Sequence, residues 1–434
     1  MRVQWWKMLA WNSIILLFLP FIVLAAILPG RRHDKLIWGV EPGIGNRYWS
    51  EAVKEMGFQS MTLMTNHYPI NKRSDFDRYY EDFVALPLPR ALAWAIGSCL
   101  AMIHTLRRAS VVHTSFWGFS LGFSSFWRLE SVLFRIAGIK VVILAFGADY
   151  YRFSTLSDSS LRYGMLVSYP YLAGWEEMTT RKVMYWVKRA DVVLTGYQID
   201  GVGRWDVTTH SVYMIDTRVW TPRSVYSHAN GTDGVVRIMH APNHRGVKGT
   251  EFIIDAVNTL KAEGLNVELV LLEKVPNDQV RALMQEVDIL ADQCIMIGYA
   301  LNAMEGMASG LPVLANLSSE FYTRPFRRYG FLSECPILSS TPENIVDNLR
   351  TLVRRPDLRE LLGRCGRLYA EKYHSFEMAQ YLFGSIYSKL LDGKDVDLIN
   401  LFHPLKSDYS SRRPRVQHPL VDNELPARWL TDAA

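Results

Sequence analysis

Apolar and polar positions along the 434-residue chain fall into two successive series of the same kind. Short apolar runs at 36–40, 60–65, 111–115, 141–146 and 192–195 are separated by longer stretches with helical spacing, 48–56 and 78–107 among them. Runs that are apolar throughout and bounded by glycine or polar residues predict parallel strands buried on both faces, because a half-exposed strand alternates instead. Between 215 and 234 the pattern breaks at Pro222, Ser224, Asn230, Gly231 and Gly234, a cluster of turn formers. It then restarts with strands at 236–240, 267–272, near Ile289 and Ile295, and at 313–315. Helices are predicted at 250–263, 278–286, 342–353, 357–372 and 376–391. Two alternating series predict an α/β protein of two doubly wound, Rossmann-like domains facing a cleft. The predicted divisions are a hydrophobic segment at 1–30, a first domain at 31–218, a linker at 219–235 and a second domain at 236–375. A helix at 376–392 packs back toward the first domain, and 393–434 forms a mobile or surface-draped tail.

The N-terminal stretch departs from this pattern. Positions 8–29 are apolar apart from Asn12 and Ser13, long enough for the roughly 20 residues that cross a bilayer. Arg2 and Lys7 precede it, and Arg31, Arg32 and Lys35 follow. The flanking charges nearly tie, so the positive-inside rule sets no orientation. A cleaved signal peptide shares the basic start and apolar core, but the strand at 36–40 follows almost at once without a convincing small-x-small site. The prediction is a membrane anchor of open topology, with Pro20 permitting a kinked or re-entrant insertion.

Charge and cysteine content narrow the class. A net charge of +5 suits an anionic membrane surface or phosphorylated ligands, and lacks the concentrated basic face of a nucleic-acid binder. Cys99, Cys294, Cys335 and Cys365 show no CxxC spacing and read as reduced thiols of a cytosolic-facing protein. The catalytic domains are therefore expected on the cytoplasmic side.

Two stretches of the second series carry candidate chemistry. At 298–316 a loop leads into a short helix bearing Glu305, a stop at Gly310 and a strand. A carboxylate there lies beyond the strand ends of an α/β sheet, where such folds bind ligands, and can accept two hydrogen bonds from a ribose. At 240–250 a strand runs through a glycine-containing loop into a helix starting near Thr250, with Arg245 and Lys248 alongside. A helix N-terminus flanked by cations favours phosphate. Together they predict a nucleotide or nucleotide-sugar site.

The segments HAPNHRGVKGT (240–250), VDILADQ (287–293) and GYALNAMEGMASGLPVLAN (298–316) resemble the retaining glycosyltransferases of the GT-B fold, specifically the family 4 (group 1) class. The resemblance implies that Arg245 and Lys248 neutralise the donor diphosphate as catalytic residues. It implies that Glu305 holds the donor ribose, and that the loop with Gly298, Tyr299 and Leu301 runs along the sugar and phosphates beside Gly249 and Thr250. In the first domain, PGIGN (42–46) looks like the family's glycine loop, placing Gly43 and Gly45 against the diphosphate. FGADY (146–150) looks like the segment that sets Asp149 near the transferred sugar. His113, ending a strand, is the acceptor-side candidate. The family often has a second glutamate eight positions before the first; here that position is Ile297, so that acid's contribution is either missing or supplied by Asp292 or Gln293 upstream.

The resemblance implies a metal-independent hexosyltransferase with no cofactor besides its donor, a UDP- or GDP-type nucleotide sugar. Asp75 and Asp77 do not follow an apolar strand as a metal-binding DxD does, and are read as acids at a helix start. The apolar helix within 91–106, ending at Arg107 and Arg108, would hold the cleft near lipid head groups. The acceptor is accordingly expected to be a lipid-linked saccharide of a surface polysaccharide or glycolipid. A nucleotide-sugar epimerase of the same fold, or a non-catalytic relative that binds the nucleotide sugar, remain the alternatives.

Overall fold

The structure is a computed structural model that describes residues 5–28, 30, 35–196 and 200–429. Arg2, Arg31 and Arg32, which flank the apolar N-terminal stretch, lie outside the described residues.

The first sheet contains six parallel strands: β1 (Lys35–Val40), β2 (Gln59–Met64), β3 (Arg78–Tyr79), β4 (Val111–Thr114), β5 (Lys140–Leu144) and β6 (Val192–Leu194). Their spatial order is β3-β2-β1-β4-β5-β6. The second has β7 (Val236–His240), β8 (Val267–Leu271), β9 (Ile289–Ile297), β10 (Val313–Asn316) and β11 (Leu338–Ser339), ordered β11-β10-β9-β7-β8 and also parallel. Both are doubly wound arrangements. In such sheets the strand order reverses at one point, and ligands bind beyond the carboxyl ends there. That point lies between β1 and β4 in the first sheet and between β7 and β9 in the second.

Several predicted elements shift. The stretch at 78–107 is not one helix: β3 and a 3-10 turn (Tyr80–Phe83) precede a helix that begins only at Arg90. Pro87 and Pro89 hold the intervening chain extended, and Pro89 caps the helix. The strands near Ile289 and Ile295 are a single nine-residue β9. Its pairing with β10 slips after Leu314 and again after Ala315, and the Asn316 side chain donates to the Cys294 and Ile295 carbonyls there. Asp75 and Asp77 do not start a helix. Asp75 closes a 3-10 turn by accepting from the Lys72 amide, and Asp77 accepts from the Thr62 amide and hydroxyl, tying β2 to the segment before β3.

The two domains share a core. Phe383, on the helix Phe376–Leu390, packs edge-on to Trp38 of β1 at 4.9 Å, and Gln380 Nε2 donates to the Ala52 carbonyl. The C-terminal stretch is draped but pinned: Leu398, Leu401, Phe402, Tyr409, Val416 and Leu420 are buried. Asn423 Nδ2 donates to the carbonyls of Cys335 and Ile337.

Candidate functional site

On the second domain, β7 ends at His240, and the chain turns through a short helix (Arg245–Lys248) into the helix Thr250–Ala262. Gly249 joins the two helices at φ 72°, and a Cβ there would meet Cys294 Sγ at 2.3 Å. Glycine is required on both counts. His240 Nδ1 lies 2.7 Å from the Ala291 carbonyl, which can only accept, so Nδ1 carries the proton and Nε2 accepts from the Thr250 hydroxyl. Burial pushes His240 down to about 4, consistent with a neutral ring.

Lys248 turns inward. Its Nζ donates to Asp292 Oδ1 at 2.6 Å and to Gln293 Oε1 at 2.8 Å, and both charged side chains are almost fully buried. Asn302 Nδ2 donates to the same Asp292 oxygen at 3.0 Å. Glu305 lies one turn further along the helix Leu301–Ala308, so Asn302 and Glu305 share a face. Its one hydrogen-bond partner among the described residues is Asn277 Nδ2, at 3.4 Å. Burial pushes Glu305 up to about 8, with Asp292 adding to the shift and Lys248 opposing it. Asp292 Oδ2 and Asn277 Oδ1 are buried with no partner among the described residues. The cluster thus presents unpaired acceptors at Asp292 and Asn277 beside Glu305, whose carboxyl both donates and accepts while it holds its proton; the hydroxyls of a sugar, which also do both, match such groups. Lys248 and Glu305, 57 positions apart in sequence, meet through Asp292 and Asn302.

Other expected residues do not reach this pocket. Arg245 points outward and pairs with Glu251 at 2.8 Å and Glu273 at 3.0 Å, so its charge is already balanced. Tyr299 is fully buried: Tyr369 donates to its hydroxyl, which donates to His374 Nε2, because His374 Nδ1–H faces the Tyr213 carbonyl. It braces the core. Gly298, at φ 92°, shapes the loop, its amide donating to the Asn316 carbonyl and its carbonyl accepting from Gln293 Nε2. Leu301 is half-buried at the start of the helix. Ile297 is buried, and so are Asp292 and Gln293 earlier on the same strand.

The first domain forms the facing wall. Gly43 has open space where a Cβ would stand, whereas Gly45 lies under Trp49 and Tyr213. Asp149 is fully buried, and its carboxylate accepts from the amides of Phe116, Phe146 and Gly147 at 3.0 Å each. It holds two loops together, and all three of these hydrogen bonds come from backbone amides. Burial pushes it up to about 6. The His113 ring stacks on Trp38 at 3.6 Å, Nδ1 faces the Ile37 carbonyl and Nε2 accepts from Tyr387 OH. A strand-end position set it at the cleft, but the ring turns into the core, and burial pushes it down to about 3.

Sequence reasoning missed Glu41, the residue after β1 at the first sheet's reversal point. Burial pushes its carboxyl up to about 7, with the Asp149 charge adding and Lys182 opposing. Its position directly after an apolar strand was the available signal. Lys182, pushed down to about 8 by burial, donates to the Trp117 and Gly122 carbonyls. Across the cleft, Tyr48 feels the charge of Glu305, Tyr169 packs 4.4 Å from His244, and the Val247 amide donates to Ser168 Oγ at 3.0 Å. The two walls are in contact.

The chain is similar in structure to a sucrose-phosphate synthase from Thermosynechococcus elongatus, with TM-score 0.54 and 11% identity over 83% of this chain and 100% of that one. Two weaker likenesses are to the C-terminal domain of a group 1 family glycosyl transferase from Francisella tularensis and to WaaG, a glycosyltransferase involved in lipopolysaccharide biosynthesis. The first has 18% identity over 37% of this chain and 98% of that one, with TM-score 0.27. The second has 12% identity over 80% and 97%, with TM-score 0.40. No protein-family model matches the sequence, and no curated protein matches it. The fold is GT-B: two doubly wound domains across a cleft.

Proposed function

We propose that this protein is a glycosyltransferase that moves a sugar from a nucleotide-diphosphate donor, of UDP or GDP type, to a saccharide acceptor. The observation that carries the reading is the cluster of buried polar groups at the reversal point of the second sheet, with Lys248 among them. Asp292 Oδ2, Asn277 Oδ1 and Glu305 suit the hydroxyls of a nucleoside or sugar. Lys248 has three N–H donors and uses two on Asp292 and Gln293, leaving one for a phosphate oxygen. Negative charge grows on the departing diphosphate, and a preorganised cation stabilises it more in the transition state than in the ground state.

On the facing wall, Glu41 takes the acceptor-side role. A carboxyl near 7 is poised to accept a hydrogen bond or proton from an attacking hydroxyl. In this reading the acceptor is lipid-linked, the protein is membrane-associated with its domains on the cytoplasmic side, and transfer is retaining and metal-independent.

The test is release of nucleoside diphosphate from a panel of UDP-, GDP- and ADP-sugars, with and without membrane extract. Release should depend on extract and fall with Lys248→Ala and Glu305→Ala. Unchanged release by both variants would remove the site assignment, and turnover of donor without any acceptor would favour an epimerase.

A further inference from the structure

The helix Trp5–Ile27 is long and apolar enough to cross a membrane, yet both of its ends are fastened to one flank of the first domain. Near its start, Trp11 Nε1 donates to Ser98 Oγ at 3.1 Å, and its ring meets Trp94 edge-on at 5.0 Å. Asn12 forms a two-way link to Ser125: its Nδ2 donates to the hydroxyl at 2.9 Å, and its Oδ1 accepts from the amide at 3.1 Å. Just past its end, the Leu28 carbonyl accepts from Arg107 Nη1 at 3.1 Å. Gly30 presses so close to the Arg107 carbonyl that a Cβ would stand 2.5 Å away.

Asn12 and Leu28 are separated by about 24 Å of helix at roughly 1.5 Å per residue, most of the ~30 Å thickness of a bilayer's hydrocarbon core. Were this helix to cross that core, Ser98, Ser125 and Arg107 would be drawn through it with their domain. Burying such polar groups of a folded domain in hydrocarbon is heavily penalised. The helix instead lies along the flank. Ile15, Ile22, Ala25 and Ala26 face inward, while Leu16, Leu17, Phe21, Leu24 and Ile27 are left outside, Leu17 at 73% exposure. The helix Leu129–Ile136 packs beside it and adds Val132 and Ile136, each about half exposed.

The chain that flanks this face is predominantly basic: Lys140 pairs with Asp191, and the nearby acids Glu81 and Asp82 pair with Arg73. Residues 84–148 contain Arg90, Arg107, Arg108, Arg128, Arg135 and Lys140 against one acid, Glu130. Glu130 is fully buried, its carboxylate accepting from the Phe119 and Leu121 amides. A broad apolar face with a basic rim matches an anionic phospholipid surface.

We propose that this flank docks in the plane of an anionic bilayer surface, with the N-terminal helix half-immersed along the head-group boundary rather than crossing it. The proposal does not depend on the sugar-transfer reading, since nucleoside-diphosphate release in detergent tests that reading separately.

Two measurements on the full chain test it. Purified protein floated with phosphatidylcholine vesicles should bind better, by roughly tenfold, when phosphatidylglycerol is included, and salt should erase the difference. Arg128→Glu/Arg135→Glu, two surface changes that leave the fold intact, should lose that preference. Binding indifferent to phosphatidylglycerol, or a detergent-free dimer that ignores vesicles, would overturn the proposal. For topology, Lys7→Cys and Arg108→Cys are introduced singly, at opposite ends of the flank; the native cysteines are all buried. In sealed membrane vesicles from expressing cells, both should react with a membrane-impermeant maleimide from the same side. Protection of one until lysis means a spanning helix and overturns the in-plane placement.

Discussion

The two walls of the cleft handle charge in opposite ways. On the second domain, Lys248, Asp292, Gln293 and Asn302 form a hydrogen-bonded network that leaves Asp292 Oδ2 without a partner among the described residues, beside Glu305, a carboxyl with one long hydrogen bond. On the first, Asp149, Glu130 and Lys182 are all tied to backbone groups of loops, and Glu41 remains as a carboxyl with a perturbed proton affinity and no side-chain partner among the described residues. One wall is built to hold a polar ligand against several fixed groups. The other holds its own loops still and leaves a carboxyl for chemistry.

The largest test of this contrast is Lys248→Met. It strands Asp292 as a buried, unpaired charge, which costs about 3–5 kcal/mol of stability, and should lower nucleoside-diphosphate release by on the order of 10²-fold or more. The double variant Lys248→Met/Asp292→Asn should recover much of the melting temperature and none of the activity. Activity that recovers along with melting temperature would reduce Lys248 to a structural role.

Titration separates the walls next. Glu305 is held above its ordinary carboxyl value by burial, so the folded state binds its proton more tightly than the unfolded chain does. That contribution to stability is complete below the ordinary value and is lost as pH rises through about 8. Glu305→Gln should therefore melt higher than the parent above pH 8 while binding donor more weakly. Glu41→Gln should show the same stability effect over a window ending near 7. Its activity signature differs: the rise in kcat through that window disappears while donor KM is unchanged. If Glu41→Gln alters donor KM instead, the division of labour between the walls fails.

Arg245→Ala should have the smallest effect. Its partners are exposed carboxylates, and exposed pairs contribute about 0–1 kcal/mol. Melting temperature and donor KM should both stay close to the parent; a large loss of donor affinity would show that Arg245 leaves Glu251 and Glu273 to bind phosphate.

Much of the sheet architecture was legible because each strand is a local run of apolar residues, and β7 lies where the pattern set it, at Val236–His240. The helix at 78–107 was misread because helical spacing on both sides of Pro87 and Pro89 outweighed the breakers themselves. Within the candidate site, Lys248 and Glu305 were legible from their positions after strands in a doubly wound sheet. The burial of His113 and Tyr299 was not legible, for a common reason. Sequence locates a residue at the end of a strand or in a loop, but not the direction its ring takes once Trp38 or His374 packs beside it.

Sequence alone determined the two alternating series, the apolar N-terminal helix and the glycines that let the chain turn beside β9, because each depends on the preferences of neighbouring residues. Tertiary structure decided which charges are free. Lys248 is balanced by a carboxylate 44 positions away, Glu305 is pushed up by burial among groups from three separate segments, and the N-terminal helix is tied at both ends to residues near 98, 107 and 125. Proton affinity and membrane orientation are set by what surrounds a group, and those surroundings exist only once distant segments have folded together.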